Sequence, residues 1–225
     1  MKFKTPLVAS VAIIALYWVC WSAWKVLVPP ADGLDIVKIS LNVAVRTPIV
    51  FALVWGLLRW NGESIRDLGI VPDRGRTGVL RLALLSIGLF VVTNMLLNPL
   101  FGALMPRTGE LPIASLFADR SQAPYWIFSA IVGGGFAEEL ARAFVLTRFE
   151  KLLGRGGLVA ALLIDSVAFG LGHLYQGPAS AVSSGVTGLL LGLIFLSRRR
   201  VIDAMIVHAV FDLMGIAAAY ALYSR

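Results

Sequence analysis

A single cysteine, Cys20, leaves this 225-residue chain without an intrachain disulfide, so no covalent staple holds its fold and nothing follows about redox compartment. The residue reads as a small buried hydrophobe. Only two histidines are present and no His-Glu-x-x-His pattern occurs, which excludes the ordinary zincin arrangement. Charged side chains make up 15% of the chain, against roughly a quarter in soluble domains, too few to cover a water-facing surface. There is no internal repeat, so an inverted-repeat transporter gains no support. The net charge of +7 does not indicate nucleic acid, because the basic residues sit at the ends of apolar stretches rather than along one soluble face.

What is abundant is apolar side chain: 58% of residues, with a mean hydropathy of +0.83. The sequence predicts an all-α, polytopic transmembrane helix bundle of about seven spans, a single integral membrane domain over residues 1–225 with no room for a large second one. The expected spans are 6–28, 39–60, 79–104, 124–153, 158–174, 179–196 and 201–223. Lys2 and Lys4 precede the first, Trp18, Trp21 and Trp24 suit an interfacial belt near its end, and Pro29-Pro30 closes it; it reads as an uncleaved anchor rather than a signal peptide. Arg46, inside the second span, is either an end anchor that snorkels or a bundle-facing charge, and snorkelling is the favoured reading. Polar connections cover 61–77, including Pro72-Asp73-Arg74-Gly75, and 106–123. Glycines 133–135, 170, 172, 185, 188 and 192 read as ordinary close packing between helices. Lys and Arg gather at the N-terminus, at 59–81, at 148–155 and at 198–200, placing the N-terminus in the cytoplasm.

Three short patterns interrupt the apolar runs: Glu138-Glu139 with Arg142, Phe169 four before His173, and His208 four before Asp212. Ionisable groups at bilayer depth cost roughly 2.5–3.5 kcal/mol each on insertion scales and are usually kept where they work. On a regular helix Glu138 and Arg142 share a face and Glu139 is turned about 100° away, which favours Glu138 as the carboxylate that Arg142 holds. Phe169 packs beneath the His173 ring, and Asp165, one turn earlier, is either a partner of His173 or a polar contact between helices. Counted from the nearest basic residues, His173 lies roughly 27 Å from Arg155 but Glu138 only roughly 15 Å from Arg148, so the His173 helix must tilt or sit lower if the groups meet. A carboxylate and two imidazoles in a dry pocket have the makings of water activation and oxyanion stabilisation, which points to hydrolysis. Each motif also has a plainer reading, as an interhelical hydrogen bond or a structural ion pair.

The order Glu-Glu with a nearby Arg, then Phe-x-x-x-His, then His-x-x-x-Asn/Asp resembles the CPBP family of intramembrane proteases, which includes the type II CAAX prenyl endopeptidases and bacterial Abi proteins. The resemblance spans about residues 61–220, with Leu68-Gly69 similar to a Leu-Gly segment before a span and the motifs at 138–142, 169–173 and 208–212. One departure stands out: the family pattern is Glu-Glu-x-x-x-Arg, whereas Arg142 follows Glu139 after two residues, so either glutamate can take the place of the family's water-activating one. The resemblance implies an endopeptidase of a bacterial-type plasma membrane acting on a membrane-associated peptide or protein. In it Glu138 or Glu139 with His173 activates water, His208 and Asp212 complete the site, and Asp212 orients His208 or supports a metal. It further implies zinc as a candidate cofactor, held by Glu138, His173 and His208, beside a metal-free glutamate mechanism. Two other classes fit the same residues: a noncatalytic membrane protein that binds a hydrophobic peptide, as an immunity or chaperone-like factor would, and a proton-coupled transporter.

Overall fold

The computed structural model describes residues 5–27, 35–71, 75–105 and 116–224, and among these every regular element is helical. Seven rods follow in order: α1 (Thr5–Leu27), α2 (Ile36–Trp60), α3 (Arg76–Leu104), α4 (120–153), α5 (155–172), α6 (Pro178–Arg198) and α7 (Val201–Tyr223). Lys2, Lys4, Pro29-Pro30, Pro72-Asp73-Arg74 and most of the 106–123 connection lie outside the described residues, as do the side chains of Trp18, Trp21 and Trp24. Five segments are long and apolar enough to cross a membrane by length and composition. The five include α4 and α5 together as one apolar stretch, Arg120–Gly172, although the chain reverses within it at Gly154, and α1 is a further apolar helix. Outward faces carry Leu16, Val45, Leu84 and Val167, all exposed, as a lipid-solvated surface requires. The protein is an integral membrane protein. Cys20 is exposed rather than buried, since α1 packs at the edge and an apolar thiol tolerates lipid as readily as protein.

The core gathers around α4, where Leu140, Phe144 and Leu146 pack with Leu58 of α2, Phe195 of α6 and Val201 and Ala204 of α7. The break between α4 and α5 falls at Gly154, whose φ of 67° and ψ of −154° belong to a region that essentially only glycine occupies. The two rods fold back on each other from this point, and Arg142 of α4 reaches Asp165 of α5 at 2.8 Å. Gly154 also removes the depth difficulty. Glu138 stands 16 residues before it and His173 19 after it, a difference of about 4.5 Å at 1.5 Å per residue.

At the basic end, the connection after α2 is bolted to the helices beneath it. Arg148 donates to both oxygens of Glu63, at 2.8 and 2.5 Å, and Lys151 adds a third contact at 2.6 Å. Burial pushes the Glu63 carboxyl up, but these two cations outweigh it and hold the group below the usual carboxylate range. A one-turn helix, Ile65–Leu68, opens with a reciprocal cap between Ser64 and Asp67 and ends on Gly69 at φ 80°. A Cβ there would lie 2.2 Å from the Arg199 carbonyl oxygen, so Gly69 lets the connection touch the α6–α7 turn. Arg199 pairs with Glu150, and Arg200 donates to the Val71 carbonyl.

Candidate active site

Helix α4 brings the two glutamates in at the end of a wide turn. The sequence predicts regular α-helix here, but Ser129–Glu138 is π-helical, a form that recurs at functional sites. The glycines inside it each lie under a different neighbour: an added Cβ would meet Val43 at 3.0 Å from Gly133, Asp212 Oδ2 at 2.6 Å and His208 Nε2 at 3.2 Å from Gly134, and Ala209 at 2.8 Å from Gly135. Packing is therefore not the whole use of these glycines. Gly134 clears the volume that His208 and Asp212 occupy.

Glu139 is enclosed. Its Oε1 accepts from the Arg142 guanidinium and from His208 Nδ1 at 2.8 Å, and only 1% of its side chain is exposed. Arg142, equally buried, donates its Nε to Asp165 at 2.8 Å, so a chain of contacts runs Asp165, Arg142, Glu139, His208 across α5, α4 and α7. This corrects one expectation and decides between the two readings of Asp165. Arg142 hydrogen-bonds Glu139, three residues back, rather than Glu138, because three- and four-residue offsets both lie within a guanidinium's reach. Asp165 is a contact between helices and does not hold His173.

Glu138 has a different set of neighbours. Arg46 of α2 donates to its Oε1 at 3.2 Å, and 29% of the Glu138 side chain is exposed. Its carboxylate lies within electrostatic range of His208, His173 and Arg142 as well. Arg46 thus faces the bundle and is not a snorkelling anchor. The less favoured of the two readings for this residue therefore holds, and its one signal in the sequence was a lone cation inside an apolar span.

The histidines arrive from opposite sides. His173 stands just past the end of α5, where its Nδ1 donates to the Phe169 carbonyl at 2.9 Å; a carbonyl only accepts, so this bond places a ring proton on Nδ1. His208 turns Nδ1 to Glu139 and Nε2 towards Asp212 Oδ2, 3.6 Å away, beyond direct hydrogen-bond range. The residue that orients His208 is accordingly Glu139, not Asp212. Phe169 sits between the rings, 4.6 Å from the His173 centroid and 5.8 Å from that of His208, with the Arg142 guanidinium 4.8 Å above its face. Gly188 of α6 seats it: a Cβ there would meet the Phe169 ring at 3.0 Å.

Zinc requires three or four ligands converging at about 2.0–2.3 Å. Among the described residues no group of three His, Cys, Asp or Glu side chains stands in such an arrangement, while a bond at Nδ1, as His208 makes to Glu139, is the one that metal-ligating histidines make with their second nitrogen. No step is routed through zinc.

Residues 120–214, which carry all three motifs, match the family described as type II CAAX prenyl endopeptidase Rce1-like. The match does not reach the 61–119 part of the resemblance. No curated protein and no solved structure matches the chain.

Proposed function

We propose, from the match of residues 120–214 to the type II CAAX prenyl endopeptidase Rce1-like family, that the chain is an intramembrane endopeptidase. It hydrolyses a peptide bond of a membrane-associated, prenylated peptide or protein, with its N-terminus in the cytoplasm of a bacterial-type plasma membrane. The observation that carries the reading is the division between the glutamates. Glu138 is the accessible one and Glu139 the enclosed one.

In this mechanism a water beside Glu138 gives its proton to that carboxylate, with His173 Nε2 accepting the water's other hydrogen bond, and its oxygen attacks the substrate carbonyl carbon. Proton removal of this kind contributes about 10²–10⁴-fold. His208, carrying a proton on Nε2, donates to the oxyanion that forms, and Asp212 Oδ2 stands 3.6 Å from the same nitrogen. Collapse of the intermediate breaks the C–N bond, and the leaving amine takes the proton that Glu138 holds. Glu139 touches no reacting atom here. It fixes the orientation of His208, and Arg142 with Asp165 fixes Glu139.

The test is cleavage of a farnesylated fluorescent peptide by the purified chain in proteoliposomes, with products identified by mass spectrometry and the assay repeated after chelator treatment. The expected result is one new C-terminus, formed equally with and without chelator. Tight binding without cleavage would assign a peptide-binding role, and proton flux without cleavage a transport role.

A further inference from the structure

The short connection between α5 and α6 carries an aromatic residue that the mechanism leaves unused. On a continuing α-helix Tyr175, two residues after His173, would point about 200° away from it. The helix ends instead. His173 has φ −101° and ψ 6°, a one-turn helix follows over Leu174–Gln176, and the backbone N–H groups of Gln176 and Gly177 donate to the His173 and Leu174 carbonyls, each at 2.9 Å. Gly177, at φ 101° and ψ 162°, takes a conformation that essentially only glycine adopts, and Pro178 opens α6 directly after it. This closed turn folds Tyr175 back onto His173. Their rings stack with centroids 6.2 Å apart and planes 24° apart, within the range of offset aromatic pairs.

The same turn holds the tyrosine. Gln176 Nε2 donates to the Tyr175 hydroxyl oxygen at 2.9 Å, so the ring is tied at its far end as well as at its backbone. Burial pushes the hydroxyl pKa up despite that bond, and the Glu138 and Asp212 carboxylates add to the rise; Tyr175 therefore lies within electrostatic range of both. His173 has its Nδ1 bond to the Phe169 carbonyl and the Phe169 ring at 4.6 Å. A hydrogen bond fixes one corner of an imidazole and lets the ring rock about it, and packing against the ring removes that freedom. We propose that Tyr175 is a positioning residue for His173: its ring, steadied by Gln176, holds the imidazole in the orientation from which Nε2 meets the attacking water. The inference rests on the endopeptidase reading, in which His173 orients that water. In this role Tyr175 touches no reacting atom, and its hydroxyl is dispensable.

The contact and its consequence are measured separately. Because the chain has only two histidines, isotope labelling of histidine gives two sets of imidazole NMR signals, which His173→Gln assigns. Tyr175→Ala removes the tyrosine ring current and should move the His173 ring-proton signals while leaving those of His208 nearly in place. In proteoliposomes with the farnesylated peptide the same variant should lower kcat at least about tenfold, since small misplacements of a positioned group are costly, with KM unchanged within about twofold. Tyr175→Phe keeps the ring and should restore most of the rate. Thermal unfolding checks each variant, and Tyr175→Leu replaces the alanine variant if that one does not fold. A normal kcat without the ring, or unmoved His173 signals, would overturn the proposal. A rise in KM alone would overturn it by making Tyr175 a wall of the peptide site, and an equal loss in Tyr175→Phe by making the hydroxyl the working group. Wild type that cleaves nothing would sink the endopeptidase reading instead, and the histidine signals would still decide whether Tyr175 holds the ring.

Discussion

Glu138 and Glu139 are adjacent in sequence, yet 29% of one side chain is exposed and 1% of the other, and the difference follows from the cation each meets. Arg142 encloses Glu139 from the same helix, whereas Arg46 reaches Glu138 from α2 through one of its oxygens. Truncating Arg46 removes a charge-assisted hydrogen bond of about 1.5–3 kcal/mol. Arg46→Ala should therefore lower kcat about tenfold or more with little change in KM, and Arg46→Lys should recover part of the loss; an unchanged kcat in Arg46→Ala would reduce Arg46 to an anchor of α2. Gly134 gives a second test at this scale. Gly134→Ala would put a methyl group 2.6 Å from Asp212 Oδ2 and should abolish most activity, while Gly56→Ala, with nothing within 4 Å, should stabilise the protein by up to about 1 kcal/mol through helix propensity. Thermal unfolding and turnover on both variants check this, and equal activity would show that Gly134 does not clear the site. The one-turn offset of His208 and Asp212 was legible in the sequence because it is local. The Arg46–Glu138 pair was not, because it joins residues 92 apart whose meeting depends on how α2 packs against the wide turn of α4.

At the scale of elements, the α4–α5 hairpin and the connection after α2 set the register of the site. The run Gly154 to Gly157 marked a helix break in the sequence, and φ at Gly154 makes it a reversal; the π-helical turn over Ser129–Glu138 left no comparable signal, since three glycines read equally well as packing. The Glu63 clasp carries a stability prediction. Removing its carboxylate takes from Arg148, which is fully buried, its anionic partner; 18% of the Glu63 side chain is exposed, and hydrogen bonds to charged groups of this kind contribute about 1.5–3 kcal/mol. Glu63→Gln should lower the unfolding temperature in detergent at pH 7. Because the folded carboxyl lies below its ordinary value, the contribution is complete above about pH 4.3 and is lost as pH falls through the lower folded value, so the gap between wild type and variant should close in that acidic range. A gap independent of pH would mean that Glu63 acts through packing alone.

Across the whole molecule, five helices contribute to one cluster: Arg46 from α2, both glutamates and Arg142 from α4, Asp165, Phe169 and His173 from α5 and its end, Gly188 from α6, and His208 and Asp212 from α7. Apolar periodicity made the rods readable, and the cost of charge in lipid made the ionisable residues stand out. Which of them touch is a property of the assembled bundle: the sequence placed Arg142 against Glu138 on spacing, and tertiary packing gave it to Glu139 and Asp165. In the proposed mechanism Glu138 activates water and Glu139 positions His208. The most direct measurement is the single-turnover cleavage rate of the farnesylated peptide by wild type, Glu138→Gln and Glu139→Gln in proteoliposomes, with peptide binding measured in parallel. Glu138→Gln should bind peptide normally and cleave at least about 10²-fold more slowly, and Glu139→Gln, which keeps a hydrogen-bond acceptor for His208 Nδ1, should retain clearly more activity. The reverse order, with Glu139→Gln the more impaired while still binding peptide, would contradict the assignment.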